Sequence, residues 1–147
     1  MFTVKLIPPK DDPLARMWEH LPLVLERALS RALELGLATA RGRMAPGGGG
    51  PQVRSGRLLR SLGGRVWRRG EGVVAELWAR APYAAAQEYG AVVLAKRSKY
   101  LKFRVQGRWV QARRVVIPAR PFLRPAAQTM VAALERLVFE EMHKELS

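Results

Sequence analysis

The most constraining stretch of this chain is a proline-rich decapeptide at residues 117–126, which reads Ile-Pro-Ala-Arg-Pro-Phe-Leu-Arg-Pro-Ala. Its three prolines fall within eight residues, and each one restricts φ and removes a backbone N–H donor. The segment therefore fits neither a central strand nor a helix interior. It predicts a stiff elbow that leads into a C-terminal helix beginning at Pro125. Phe122 and Leu123, held between prolines, are predicted to plug the core or a neighbouring subunit, although a plain rigid corner would need the same residues.

Length and composition limit the classes of protein that this chain can belong to. A chain of 147 residues predicts a single domain with a sizeable core. Because it contains no cysteine, disulfides, thiolate metal sites and thiol nucleophiles are excluded. The first ten residues lack the apolar core of a signal peptide, and no apolar run is long enough to cross a membrane. We therefore expect a soluble, intracellular chain that makes no membrane contact.

Positive charge is concentrated in the middle of the sequence. The formal net charge is +14, and residues 41–124 contain 19 basic residues against three acids, which leaves −2 for the two flanks together. Such a distribution indicates a polyanion or an acidic partner, unless arginine is simply abundant in this chain. The candidate contact residues are Arg65, Arg68, Arg69, Lys96, Arg97, Lys99, Arg104 and Arg113.

The first third of the chain predicts a strand, a helix and a loop. Residues 1–7 favour a short strand, and Asp12 is predicted to cap a long amphipathic helix that reaches about Arg43. Pro22 predicts a kink or break near His20 and Leu21. A glycine-rich loop at residues 44–53 follows, which we expect to be flexible and to order only against a neighbour. It lacks the Lys-Ser/Thr ending of a nucleotide-binding loop.

The remaining sequence alternates short helices with hairpins. Ser55 is predicted to cap a short helix that Gly63 and Gly64 end, and a hairpin is predicted over 65–69 and 73–80. A short helix over 82–89 ends at Gly90, and a second hairpin pairs 101–105 with 109–117. The fold class is therefore α+β, in which a long N-terminal and a long C-terminal helix pack with an antiparallel sheet of four to five strands.

The sequence offers little material for catalysis. His20 and His143 lie on different predicted helices, and neither has an acid or a second histidine at ligand spacing. Glu88 is an isolated acid in a basic region, without a nucleophile or a paired acid and base. We therefore expect no catalytic residues, no cofactor, no metal and no enzymatic activity.

Three pieces of sequence resemble a known family. They are residues 54–62 (Arg-Ser-Gly-Arg-Leu-Leu-Arg-Ser-Leu), residues 83–91 (Tyr-Ala through Glu-Tyr-Gly-Ala) and the elbow. In this order they resemble the tail-completion proteins of long-tailed bacteriophages, also described as neck or head-tail joining proteins. Members often carry a Thr/Ser-Gly-x-Leu-x-x-Ser piece, a Tyr-Ala…Glu-[Phe/Tyr]-Gly piece and a Pro-Phe-Leu-x-Pro-Ala elbow. Ala91 departs from the pattern, since many members have threonine there.

The resemblance implies a structural protein of the virion, located in the tail or neck and assembled in the host cytoplasm. Such a chain would form a ring with copies of itself and would dock on tail-tube, terminator or head-connector proteins, with DNA passing through the neck. The candidate interface residues are those of the three pieces: Ser55, Gly56, Leu58, Ser61, Tyr83, Glu88, Tyr89, Gly90, Pro121, Phe122, Leu123 and Pro125. The alternative is a basic nucleic-acid-binding protein that uses the arginine and aromatic residues of its strands.

Overall fold

A computed structural model describes residues 1–6, 20–70, 72–105 and 107–146 of the chain. The described residues form four helices and seven strands. In chain order these are β1 (Phe2–Leu6), α1 (Leu21–Met44), α2 (Arg57–Arg60), β2 (Leu62–Arg69), β3 (Gly72–Ala79), α3 (Ala84–Tyr89), β4 (Ala91–Leu94), β5 (Leu101–Val105), β6 (Arg108–Ala112), β7 (Arg114–Ile117) and α4 (Leu123–Leu146).

The body of the protein is a three-stranded antiparallel sheet with two long helices on one face. The strand order is β1-β3-β2, so the predicted first hairpin and N-terminal strand are both present. Val73, Ala75 and Leu77 alternate along β3 and are fully buried in a core shared with α1 and α4. The sequence predicts that these three residues share one face of β3, because successive side chains of a strand point to opposite faces.

The two long helices run antiparallel and are closely packed. At one end, Gly36 allows close approach, since a Cβ there would lie 2.7 Å from the Met130 Cγ. At the other end, Arg31 donates to Glu140 at 2.7 Å and to Glu141 at 3.0 Å. The hydrogen bond from Arg31 holds the pKa of Glu140 below its usual value. Burial opposes ionisation of Glu141, but hydrogen bonds from Lys144 and Arg31 outweigh it, so its pKa is lowered as well.

Residues 91–117 form a β-arm separate from the body. Strands β4 and β7 pair at its base, β5 and β6 pair beyond them, and Ala95 donates to the Arg113 carbonyl between the two ladders. The prediction of a single sheet with four to five strands is therefore wrong. The second hairpin was predicted to return as one strand, but its ladder breaks at Arg113, and the sequence analysis missed β4. No helix in the described ranges is long and apolar enough to cross a membrane.

Several predicted boundaries change in the structure. Helix α1 begins at Leu21, which agrees with the break predicted there, whereas the Asp12 cap lies outside the described residues. Gly56 occupies the N-cap position of α2, while the Ser55 hydroxyl accepts from the Arg57 N–H at 3.3 Å. The two glycines predicted to end α2 instead belong to β2, and α4 begins two residues before Pro125.

The glycine-rich loop folds back onto the end of α1. The Gly50 N–H donates to the Arg43 carbonyl at 2.8 Å, and the Gly48 N–H donates to the Ala45 carbonyl at 2.9 Å. A Cβ at Gly50 would lie 2.6 Å from the Arg43 carbonyl oxygen, so this close approach requires glycine. The loop thus has a defined path. Its predicted flexibility stays a prediction that a measurement of loop motion would test.

Candidate functional site

The side chain of Glu88 caps helix α4. Its Oε2 accepts from the N–H groups of Phe122 at 2.8 Å and Leu123 at 2.9 Å, and its Oε1 accepts from Arg124 at 2.8 Å. The first four N–H groups of a helix have no intrahelical partner. Here the fourth position is Pro125, which has no N–H, so a single carboxylate satisfies the whole set. Glu88 is 3% exposed, and its isolation in a basic region reflects this structural role.

The turn after α3 lies directly against the elbow. Gly90 has φ 77° and ψ 165°, a conformation that is almost exclusive to glycine. A Cβ at this position would lie 2.9 Å from the Ile117 carbonyl oxygen and 3.1 Å from the Ala119 nitrogen. The Arg120 N–H donates to the Gln87 carbonyl at 2.8 Å. The second and third sequence pieces are therefore parts of one packed unit.

A cleft of about 420 Å³ opens where all three sequence pieces meet. Residues 54–59 form one wall, Tyr83 and Gln87 form another, and Arg120 of the elbow closes the third side. The rest of the lining comes from residues 51–53 and from Met44 at the end of α1. Because Arg54, Arg57 and Arg120 line this space, we call it the arginine cleft.

Four long polar side chains of the arginine cleft have no partner among the described residues. The guanidinium groups of Arg54, Arg57 and Arg120 form no ion pair or hydrogen bond with any described residue, and the same holds for the side-chain amide of Gln87. The apolar part of the lining includes Val53, which is 48% exposed. The cleft therefore presents cationic donors beside exposed apolar surface.

The structure divides the predicted interface residues into two groups. Leu58, Glu88, Phe122 and Leu123 are buried within the chain, with Phe122 fully so. The prediction that Phe122 and Leu123 plug the core is confirmed. None of the four buried residues offers a surface to a neighbouring subunit in this conformation. The others are partly or fully exposed: Ser55, Gly56, Ser61, Tyr83, Tyr89, Gly90, Pro121 and Pro125.

The predicted cationic residues do not form a single patch. Arg65 pairs with Glu76 at 3.0 Å and stacks on Trp67, while Arg68 pairs with Glu26 at 2.8 Å. These two are thus engaged within the body, on opposite faces of β2. Arg69 is exposed at the end of the same strand. The other five lie in the β-arm: Lys96, Arg97, Lys99, Arg104 and Arg113.

The β-arm combines positive charge with exposed apolar side chains. It carries eight lysines and arginines and no acid. Arg104 stacks on Trp109, which is 67% exposed. At its base, Val92 and Val116 face each other across the ladder and are both more than half exposed. This apolar surface was not predicted, because the sequence of β4 was not interpreted as a strand, although its Val-Val-Leu run is a visible signal.

The described ranges contain no group of three or more His, Asp or Glu residues placed to hold a metal ion. His20 Nδ1 lies 3.4 Å from the Glu145 Oε1 at the junction of the two long helices.

Comparison with known proteins adds no assignment. Neither a protein-family model, nor a curated protein, nor a solved structure matches the chain. Any function must therefore be argued from the arginine cleft, the β-arm and the sequence pieces themselves.

Proposed function

We propose that this chain is a structural, non-enzymatic protein of a bacteriophage particle. It completes the tail by forming a ring with copies of itself and by docking on tail and head-connector proteins. The main support is the convergence of the three sequence pieces on which the resemblance rests. They are separated along the chain, yet the Glu88 cap and the Gly90 contact join the second piece to the third, and all three pieces line the arginine cleft.

The β-arm supports an assembly role independently. A two-stranded sheet is marginally stable in water by itself, and β4–β7 leaves Val92, Leu94 and Val116 more than half exposed. Its strand edges also carry backbone groups that another strand can pair with. Contact with a further subunit would cover this surface, as an assembled ring would do.

The proposal is tested in particles from the strain that encodes the chain. We expect mass spectrometry of purified virions to detect the protein, and we expect deletion of its gene to leave filled heads and tails that do not join. A copy of the gene supplied in trans should restore joining. Virions that lack the protein, together with normal joining in the deletion strain, would refute the proposed role.

A second candidate function is nucleic-acid binding through the β-arm. Lys102, Arg104, Trp109 and Gln111 occupy one face of the β5–β6 ladder, where cations can contact phosphates and an exposed ring can stack on bases. A two-stranded ribbon also fits the major groove of duplex DNA.

Salt dependence distinguishes this second candidate. Replacing Lys102 and Arg104 by glutamate should abolish binding to duplex DNA if the β-arm is the contact, and binding by the unaltered chain should weaken steeply with added salt. The control is Lys5→Glu with Arg41→Glu, two exposed positions without an ion pair among the described residues, which make the same change in net charge. Equal losses in both double variants would indicate only a general charge effect.

A further inference from the structure

We propose that the arginine cleft is the docking site for an acidic segment of a different protein, an extended peptide whose carboxylates flank an apolar side chain. The inference deepens the proposed assembly role and rests on it for the class of partner. It assigns a ligand chemistry to a cleft that is lined by four of the predicted interface residues, Ser55, Gly56, Leu58 and Tyr83.

The charge of the ligand follows from the unused donors. Arg54, Arg57 and Arg120 come from two distant parts of the chain and face one cleft without a carboxylate partner among the described residues. Like charges brought together repel, so such a cluster favours an anionic occupant. A guanidinium group matches a carboxylate in geometry and can donate two parallel hydrogen bonds to it.

The apolar lining indicates a peptide rather than an inorganic anion. Val53 and Tyr83 are 48% and 38% exposed at the cleft, and the nearly buried Met44 and Leu58 contribute further apolar surface. A small anion would leave this surface in water. An aliphatic or aromatic side chain between two carboxylates would cover it, and Gln87 offers an amide that can pair with a peptide backbone.

The same features argue against duplex DNA and against a second copy of the chain. Duplex phosphates lie on a convex surface and have no apolar group that could enter a recess, whereas the β-arm presents its cations on an exposed ribbon. A second copy is also poorly suited, because most described carboxylates are already engaged. Glu34 and Glu135 are the exceptions among the described residues, and they lie on different helices.

The test measures binding of two labelled octapeptides to the intact chain. The acidic probe is Asp-Glu-Asp-Leu-Phe-Glu-Asp-Glu, and its control replaces every acid by the corresponding amide. Fluorescence anisotropy at low salt should show saturable binding of the acidic probe and much weaker binding of the amide control. Equal binding of the two peptides, or no binding of the acidic one, would overturn the inference.

Matched variants locate the binding site. Arg57→Glu and Arg120→Glu should each weaken acidic-probe binding by at least about tenfold, because each removes a charge-assisted contact and adds repulsion. Arg97→Glu makes the same change in net charge at an exposed position outside the cleft, and it should weaken binding by less than about twofold. Tyr83→Ala should weaken binding, and Tyr89→Ala, which is outside the lining, should not. Unchanged melting temperatures will show that the variants fold.

The remaining outcomes are equally decisive. If Arg97→Glu weakens binding as much as Arg57→Glu, attraction is general and the cleft is not the site. If a short DNA duplex displaces the probe and Arg57→Glu weakens the duplex itself, the cleft is a nucleic-acid site and the inference is wrong. Absence of the protein from virions would refute the proposed function, but it would not alter the result of the peptide-binding experiment. Failure of the proposed function and failure of the docking inference can therefore be distinguished.

Discussion

Glu88 binds the backbone of Phe122 across 34 positions of sequence, with its Oε2 2.8 Å from the Phe122 nitrogen. The contact joins the end of a six-residue helix to the beginning of a 24-residue helix. Because the carboxylate also accepts from the next two N–H groups, it determines where α4 begins. The elbow and the Glu-Tyr-Gly turn are therefore one structural unit, and the arginine cleft is built on its surface.

Removing the Glu88 carboxylate should strongly destabilise the fold. Glu88→Ala leaves three N–H groups without an acceptor, two of them buried, and we expect a loss of about 3 kcal/mol or more in the free energy of unfolding. Glu88→Gln should lower the free energy of unfolding by less than Glu88→Ala, because the amide oxygen can still accept a hydrogen bond. Some loss should remain, because the amide NH₂ group would face a backbone N–H donor. Chemical denaturation measures both. Glu34→Gln, at an exposed carboxylate on α1, is the control and should have almost no effect.

Adding a methyl group at Gly90 should lower the free energy of unfolding, and comparison with a second glycine distinguishes backbone strain from close packing. Gly90→Ala introduces a Cβ into contact with the Ile117 and Ala119 backbone in a conformation that disfavours alanine, and we expect a loss of about 2 kcal/mol or more. Gly107→Ala is the control for a positive φ without close packing, because its φ is 79° and a Cβ there meets nothing within 4 Å. It should lose only about 1 kcal/mol. Equal losses would show that the contact with the elbow contributes nothing.

Acid should weaken the packing of the two long helices. Because the pKa values of Glu140 and Glu141 are lowered in the folded chain, their ionised forms stabilise the fold at neutral pH. This contribution is lost as the pH falls from the unfolded-state value of 4.5 through the lower folded-state values. Arg31→Ala removes a partner of both acids. We expect it to lower the melting temperature at pH 7 and to reduce the further loss between pH 5 and pH 3 seen by thermal denaturation.

The apolar base of the β-arm should control self-association. Replacing Val92 and Val116 together by serine removes exposed apolar surface without opening the core, so the melting temperature should change little. We expect a lower proportion of oligomer at high protein concentration in sedimentation velocity. Val131→Ser tests another exposed valine, on α4, and should sediment as the unaltered chain does. Oligomer formation that is insensitive to the double replacement would remove the β-arm from the proposed ring contact.

The elements that sequence predicted well depend on short-range physics. The elbow, the alternating face of β3 and the two long amphipathic helices follow from proline geometry, strand periodicity and helix periodicity. Each is decided by residues within a few positions of one another. The break near Leu21 and the end of α3 at Tyr89 were also close to prediction, because Pro22 and Gly90 act on their own turns.

Long-range contacts decided what the sequence left open. Nothing near Glu88 in the sequence indicates that its partners lie at Phe122 to Arg124, and no local pattern places Arg120 in the same cleft as Arg57. The single predicted sheet divided into a body sheet and a β-arm, because strand pairing depends on which edges meet and not on the propensity of each strand alone. Sequence alone determined the stiff elbow, the core-facing positions and the excess of positive charge, all of which are properties of neighbouring residues or of composition. Only the tertiary structure decided which donors remain without partners and where they converge, because that depends on contacts between distant segments.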